Sequence, residues 1–122
     1  MAKILLVDDD SLLVRMYQKK LENSGYEVAT ASDGREGLSK AEEFQPDLIL
    51  LDVMMPGKDG FEVLKALKSG ELKNSKVVLL TNVGGSDEDV KKGLALGAEA
   101  YLVKAGNRPS AVVEKVKEVL GD

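Results

Sequence analysis

The chain has no cysteine, no histidine and no tryptophan among its 122 residues. Without cysteine there is no disulfide, no thiol nucleophile and no thiolate metal site, and a reducing compartment is compatible. Without histidine there is no Ser-His-Asp triad, no usual transition-metal ligand and no imidazole base. Chemistry is left to carboxylates, lysines, hydroxyls and the backbone. Aromatic residues make up only 4% of a chain that is 43% hydrophobic, so the core must be built from Leu, Val, Ile and Ala. At this length one domain spanning 1–122 with a real core is expected. No apolar run approaches the ~20 residues of a membrane span. The first apolar run is only as long as a strand and ends in acid, unlike a signal peptide, so a cytoplasmic location is expected. A net charge of −4 offers nucleic acid no long-range attraction.

What is present alternates. Strand-like runs occur at KILLV (3–7), EVATA (27–31), DLILL (47–51), KVVLL (76–80) and AYLV (100–103). Three of them are continuously apolar, the mark of strands covered on both faces. Helical patterns fall between: Leu12–Asn23 with Gly25 beyond, Arg35–Phe44 before Pro46, Phe61–Lys68 after Asp59, Glu88–Leu96 before Gly97, and a last helix from Pro109 to Leu120. Asp10 or Ser11 suits the N-cap of the first helix, Asp33 that of the second, and Ser86 with Asp89 a capping box. Five βα units predict a parallel sheet with helices on both sides.

Ligands of such sheets bind beyond the carboxyl ends of the strands. Asp8, Asp9 and Asp10 follow strand 1, Asp52 follows strand 3, Thr81 strand 4 and Lys104 strand 5. Taken singly these read as a cap, a turn residue, a β-former and a solvated lysine. Taken together they form a pattern, because strands 1 and 3 are neighbours in either common doubly wound order. Asp8, Asp9 and Asp52 would then crowd together and repel unless a cation joins them. Oxygen-only ligands suit Mg²⁺, Mn²⁺ or Ca²⁺. An ammonium and a hydroxyl on the same rim suit phosphoryl oxygens, and a carboxylate can itself be the nucleophile.

The segments ILLVDDD, LILLDVMMPGKDG, VVLLTN and AYLVKA stand in the order and spacing of one family. Over its whole length the chain resembles the receiver domain of bacterial response regulators, of the single-domain chemotaxis-regulator kind. The resemblance implies a flavodoxin-like sheet of order 2-1-3-4-5 with five helices. It implies a phosphorylation switch rather than a conventional enzyme, with self-catalysed phosphotransfer and dephosphorylation only. Asp52 would be the phosphoacceptor. Mg²⁺, or Mn²⁺, would be held by Asp9, Asp52 and the backbone carbonyl of Met54, with Asp8 acting through water. Lys104 and Thr81 would bind the phosphoryl group, and Tyr101 matches the switch aromatic. A sensor histidine kinase or histidine phosphotransfer protein would be the donor. The output would be a downstream protein or an effector domain outside this chain, with the receiver monomeric or dimerising on phosphorylation. Tyr101 also reads as an edge-strand aromatic packed on its neighbour.

Three departures stand out. Asn82 follows Thr81 where Ala or Gly is usual, and is expected to slow phosphorylation. Ala105 follows Lys104 where the family has proline. We expect a cis bond there despite its cost of roughly 2.5–4 kcal/mol, because Lys104 must still reach Asp52. Met54 and Val83 flank the path of attacking water with apolar groups, so slow hydrolysis is expected. Gly84, Gly85 and Gly93 lower local order around helix 4, though Gly93 equally fits a close-packing site. Leu12 falls off the buried face Leu13–Tyr17–Leu21 and is the candidate contact for the donor's helix. An aspartate-nucleophile phosphatase of the haloacid dehalogenase type would want an acid two residues after Asp52, where Met54 stands. A flavin module would want a phosphate-cradling first loop, and DDD repels phosphate.

Overall fold

The computed structural model describes residues 2–53, 60–70, 75–81, 87–103 and 109–121, the side chains at 87 and 89 excepted. Strands and helices alternate as β1 (Lys3–Val7), α1 (Ser11–Asn23), β2 (Glu27–Ala31), α2 (Gly34–Phe44), β3 (Leu48–Asp52), α3 (Gly60–Ser69), β4 (Lys76–Thr81), α4 (Asp87–Ala95), β5 (Ala100–Val103) and α5 (Pro109–Leu120). The strands make one parallel sheet ordered β2-β1-β3-β4-β5.

The continuous apolar runs are explained by two-sided burial. Ile4, Leu6, Leu48, Leu50, Val78 and Leu80 pack under α1 and α5, with Tyr17, Leu21, Val112 and Val116. Leu5, Val7, Ile49, Leu51, Val77 and Leu79 pack under the opposite layer, with Ala41, Val63, Leu64 and Leu67. Each strand thus sends alternate side chains into separate cores. Burying one such leucine is worth roughly 1.5–3 kcal/mol, so the central strands are the most strongly determined part of the chain.

The helix ends follow local chemistry. Asp10 is the N-cap of α1, its carboxylate accepting from Leu13 N–H at 3.2 Å. Asp33 caps α2 by accepting from Glu36 N–H at 2.8 Å, and Glu36 reaches back to Ser32 N–H at 2.7 Å. The end of α2 differs from the glycine rule. Gln45 itself takes the left-handed conformation (φ 53°) before Pro46, and its side-chain amide donates to the Glu42 carbonyl at 2.8 Å. Gly25 and Gly97 do follow the rule, with φ of 96° and 106°. Asp59 and Ser86, expected at helix starts, lie outside the described residues. So does the side chain of Asp89. No described helix is long and apolar enough to cross a membrane.

β3 begins and ends one residue later than the apolar run predicts, and β4 extends to Thr81. The cause is pairing. Asp52 still registers with Leu80, and Thr81 with Val103. Two polar residues are thereby held inside the sheet.

Candidate functional site: a carboxylate rim

Parallel pairing decides where the acidic residues meet. Val7 is in register with Leu51 on one side and Ala31 on the other. Asp8 N–H continues the ladder to Ala31 O at 3.0 Å, while Val53 N–H donates to Leu80 O at 3.0 Å. Asp8 and Asp52 therefore leave adjacent strands at the same level. Both are buried, at 2% and 1% exposure, and Asp9 beside them is exposed.

Carboxylate oxygens of Asp8, Asp9 and Asp52 all lie within 4.8 Å of one another. For the buried pair at that separation, like-charge repulsion is at least about 3.5 kcal/mol at an effective dielectric constant of 20. A hard divalent cation removes that repulsion, and an all-oxygen donor set fits Mg²⁺ or Mn²⁺. Asp8 is further fixed by accepting from Asp10 N–H at 3.0 Å. Asp8 and Asp9 line a crevice of about 320 Å³ that also touches Arg15, Thr30, Ser32 and Glu36.

Thr81 is buried at the end of β4 with 4% exposure. Tyr101, on β5, is half-buried against the core of the α2–α4 layer. A Cβ on Gly93 would stand 2.6 Å from Leu79 Cδ1 and 3.7 Å from Tyr101 Cδ2. Gly93 is thus a close-packing position of α4. Met54, Asn82, Val83, Lys104 and Ala105, and with them the peptide bond expected to be cis, lie outside the described residues.

Tyr17, buried on α1, reads from the sequence only as core. Burial raises its phenol pKa, and the charges of Asp8 and Asp10 raise it further. Gly60, at the start of α3, was not singled out at all. In the sequence it is only the last residue of LILLDVMMPGKDG, beside the expected helix start at Asp59.

Residues 4–117 match the response regulator receiver domain family. The chain is a receiver domain of that family. It is 48% identical over 120 residues to the alkaline phosphatase synthesis transcriptional regulatory protein PhoP of Bacillus subtilis, covering 97% of this chain and 48% of that protein. The receiver therefore spans about half the length of such regulators. The structure is similar to chemotaxis protein CheY4 of Vibrio cholerae, with a TM-score of 0.89, 40% identity and 98% of each chain covered. It is also similar to a CheY-like receiver domain of Methanospirillum hungatei, with a TM-score of 0.91, 35% identity, and 99% and 94% of the two chains covered. The sheet order and the two-component signalling role expected from the sequence agree with these findings.

Proposed function

We propose that Asp52 is the phosphoacceptor of this receiver. The observation that carries the reading is the burial of Asp52 at 1% exposure within 4.8 Å of two further carboxylates. An Asp52 carboxylate oxygen attacks the phosphorus of a phosphohistidine on a histidine kinase or phosphotransfer protein. The P–N bond breaks, and the electron pair stays with the imidazole. Asp9 and Asp52 would hold a Mg²⁺ or Mn²⁺ ion directly, with the Met54 carbonyl, and Asp8 would hold it through water. Bound there, such an ion would neutralise charge on the phosphoryl oxygens. Thr81 and Lys104 are the remaining phosphoryl ligands. Water attacking phosphorus later releases phosphate and restores the carboxylate, with no external substrate turned over.

The output is a population shift. The phosphoryl group recruits the Thr81 hydroxyl, Tyr101 follows, and the α4–β5–α5 surface changes. The anchorage of the two helices supports this. α5 buries Val112, Val113 and Val116. Among its described side chains α4 buries only Gly93, leaves Leu94 48% exposed, and sets Lys92 over the Phe61 ring at 4.6 Å. Shallow anchorage is what an element that shifts requires. The surface so altered would act on a partner protein or on an effector domain, as the name of the Bacillus relative suggests.

Intact-mass measurement with acetyl phosphate and Mg²⁺ tests the reading. One phosphoryl group is expected on the wild type and none on Asp52→Asn. Uptake by the variant would sink the assignment, and steady turnover of p-nitrophenyl phosphate would favour a phosphatase instead. Leu12, 69% exposed on α1, is the proposed contact for the donor. Leu12→Glu should impair transfer from a kinase and spare acetyl phosphate.

A further inference from the structure

Gly60 meets the acceptor strand through the backbone. A Cβ built at this position would lie 2.5 Å from the Asp52 carbonyl oxygen, 2.5 Å from Val53 Cα and 3.1 Å from the Asp52 carbonyl carbon. Other glycines with close neighbours differ in kind. At Gly93 and Gly37 the nearest atoms belong to the side chains of Leu79 and Val7, which can rotate. Gly25, Gly37, Gly70, Gly93, Gly97 and Gly121 meet no main-chain atom inside 3 Å, and Gly60 does.

The atoms it meets belong to the Asp52–Val53 peptide, which is held from both sides. Its N–H donates to Leu80 O at 3.0 Å, within the β3–β4 pairing. Its carbonyl oxygen stands 2.5 Å from where a Cβ on Gly60 would be. The next carbonyl, that of Val53, accepts from Gly60 N–H at 3.1 Å. A side chain at position 60 must either push the first turn of α3 off the strand or rotate this peptide, which breaks its bond to β4. Either change reaches the residue that carries the acceptor carboxylate. It also reaches the direction in which the chain leaves toward Met54.

Resting on the assignment of Asp52 as phosphoacceptor and metal ligand, we propose that Gly60 is a positioning residue for that site. It acts through the Asp52–Val53 peptide to hold the Asp52 carboxylate at its spacing from Asp8 and Asp9. Its loss is felt in cation affinity beyond any loss of stability.

The experiment measures Mg²⁺ affinity by calorimetry on the whole chain, for the wild type, Gly60→Ala and Val116→Ala. Val116 is fully buried on α5, on the other face of the sheet, and its truncation destabilises the fold without touching the rim. At a temperature where all three are folded, Gly60→Ala should bind Mg²⁺ about 10- to 100-fold more weakly, the range seen when the supports of metal ligands are removed. Val116→Ala should keep wild-type affinity. Wild-type affinity in Gly60→Ala, or an equal loss in both variants, overturns the proposal. Should Gly60→Ala fail to fold, hydrogen exchange on the wild type decides. By reciprocity, Mg²⁺ should slow exchange of the Gly60 amide several-fold. A Gly60 amide whose exchange Mg²⁺ leaves unchanged overturns the proposal. A wild type that binds no Mg²⁺, or an Asp52→Asn variant that still takes up phosphate, overturns the underlying assignment instead.

Discussion

At the amino end of the sheet, Asp47 accepts from Lys3 N–H at 2.8 Å through its side chain and from Lys76 N–H at 3.1 Å through its carbonyl. Buried Ser75 donates to Pro46 O at 2.9 Å, and Lys68 Nζ donates to Ser75 O at 2.7 Å. Lysines and carbonyls answer one another across β1, β3 and β4. At the carboxyl end of the same strands, buried Asp8 and Asp52 stand beside Asp9. One rim sets donors against acceptors, whereas the other gathers three carboxylates where a cation would fit. The difference separates stability from function on a single sheet. Changes at the amino rim should alter how firmly the domain folds, and changes at the carboxyl rim should alter what it responds to.

Asp52→Asn is the strongest way to break that contrast. It should abolish phosphoryl uptake, yet raise the stability of the metal-free protein by roughly 1–2 kcal/mol through relief of like-charge repulsion. Thermal melting in chelator checks this, and a lower melting temperature would mean that the carboxylates are not in conflict. Next in size is the response to cation. Mg²⁺ at 100 times its dissociation constant should stabilise the wild type by about 2.7 kcal/mol and Asp52→Asn by much less. Equal increments in both proteins would place the ion elsewhere.

Much of this contrast was legible in the residues. The apolar runs located all five strands to within one residue. The polar residues after strands 1, 3 and 4 meet at one rim, because strand ends in a parallel sheet share one edge, and Lys104 after strand 5 lies outside the described residues. In the sequence Gly93 reads equally as a flexible and as a close-packing position. Its contact with Leu79 favours packing, since the approach of α4 to β4 is a tertiary distance with no local signal. Gly60 carries no local signal for the same reason, its crowding being set by where α3 crosses the exit of β3. Gln45 ends α2 without glycine, held by a side-chain bond that composition does not announce. The amino-rim network was equally hidden. Asp47 reads only as the start of the DLILL strand and Ser75 carries no local signal, until pairing brings positions 3, 47 and 76 together.

Ser75→Ala probes that amino rim. It leaves the buried Pro46 carbonyl without this donor and should cost about 1–2 kcal/mol in chemical denaturation. The stabilisation by Mg²⁺ should be unchanged, since the substitution sits at the far end of the strands. A variant that folds normally but loses its Mg²⁺ response would show the two rims to be coupled.

The smallest expected effect reads the charge of the acidic rim from inside the core. Burial raises the Tyr17 phenol above its ordinary value of 10.0, and the fields of Asp8 and Asp10 raise it further. The native state therefore holds the neutral phenol more firmly than the unfolded chain does. Its contribution to stability is complete below pH 10 and is lost as pH rises through the native value. NMR of the ring carbons separates Tyr17 from Tyr26 and Tyr101, and Tyr17 should titrate above pH 10. Asp8→Asn removes one of the two charges and should shift that titration down, while burial keeps it above the ordinary value. An unshifted titration in Asp8→Asn would confine the field of the rim to its own surface. A downward shift would show that charge added or neutralised there is felt by the α1–α5 core.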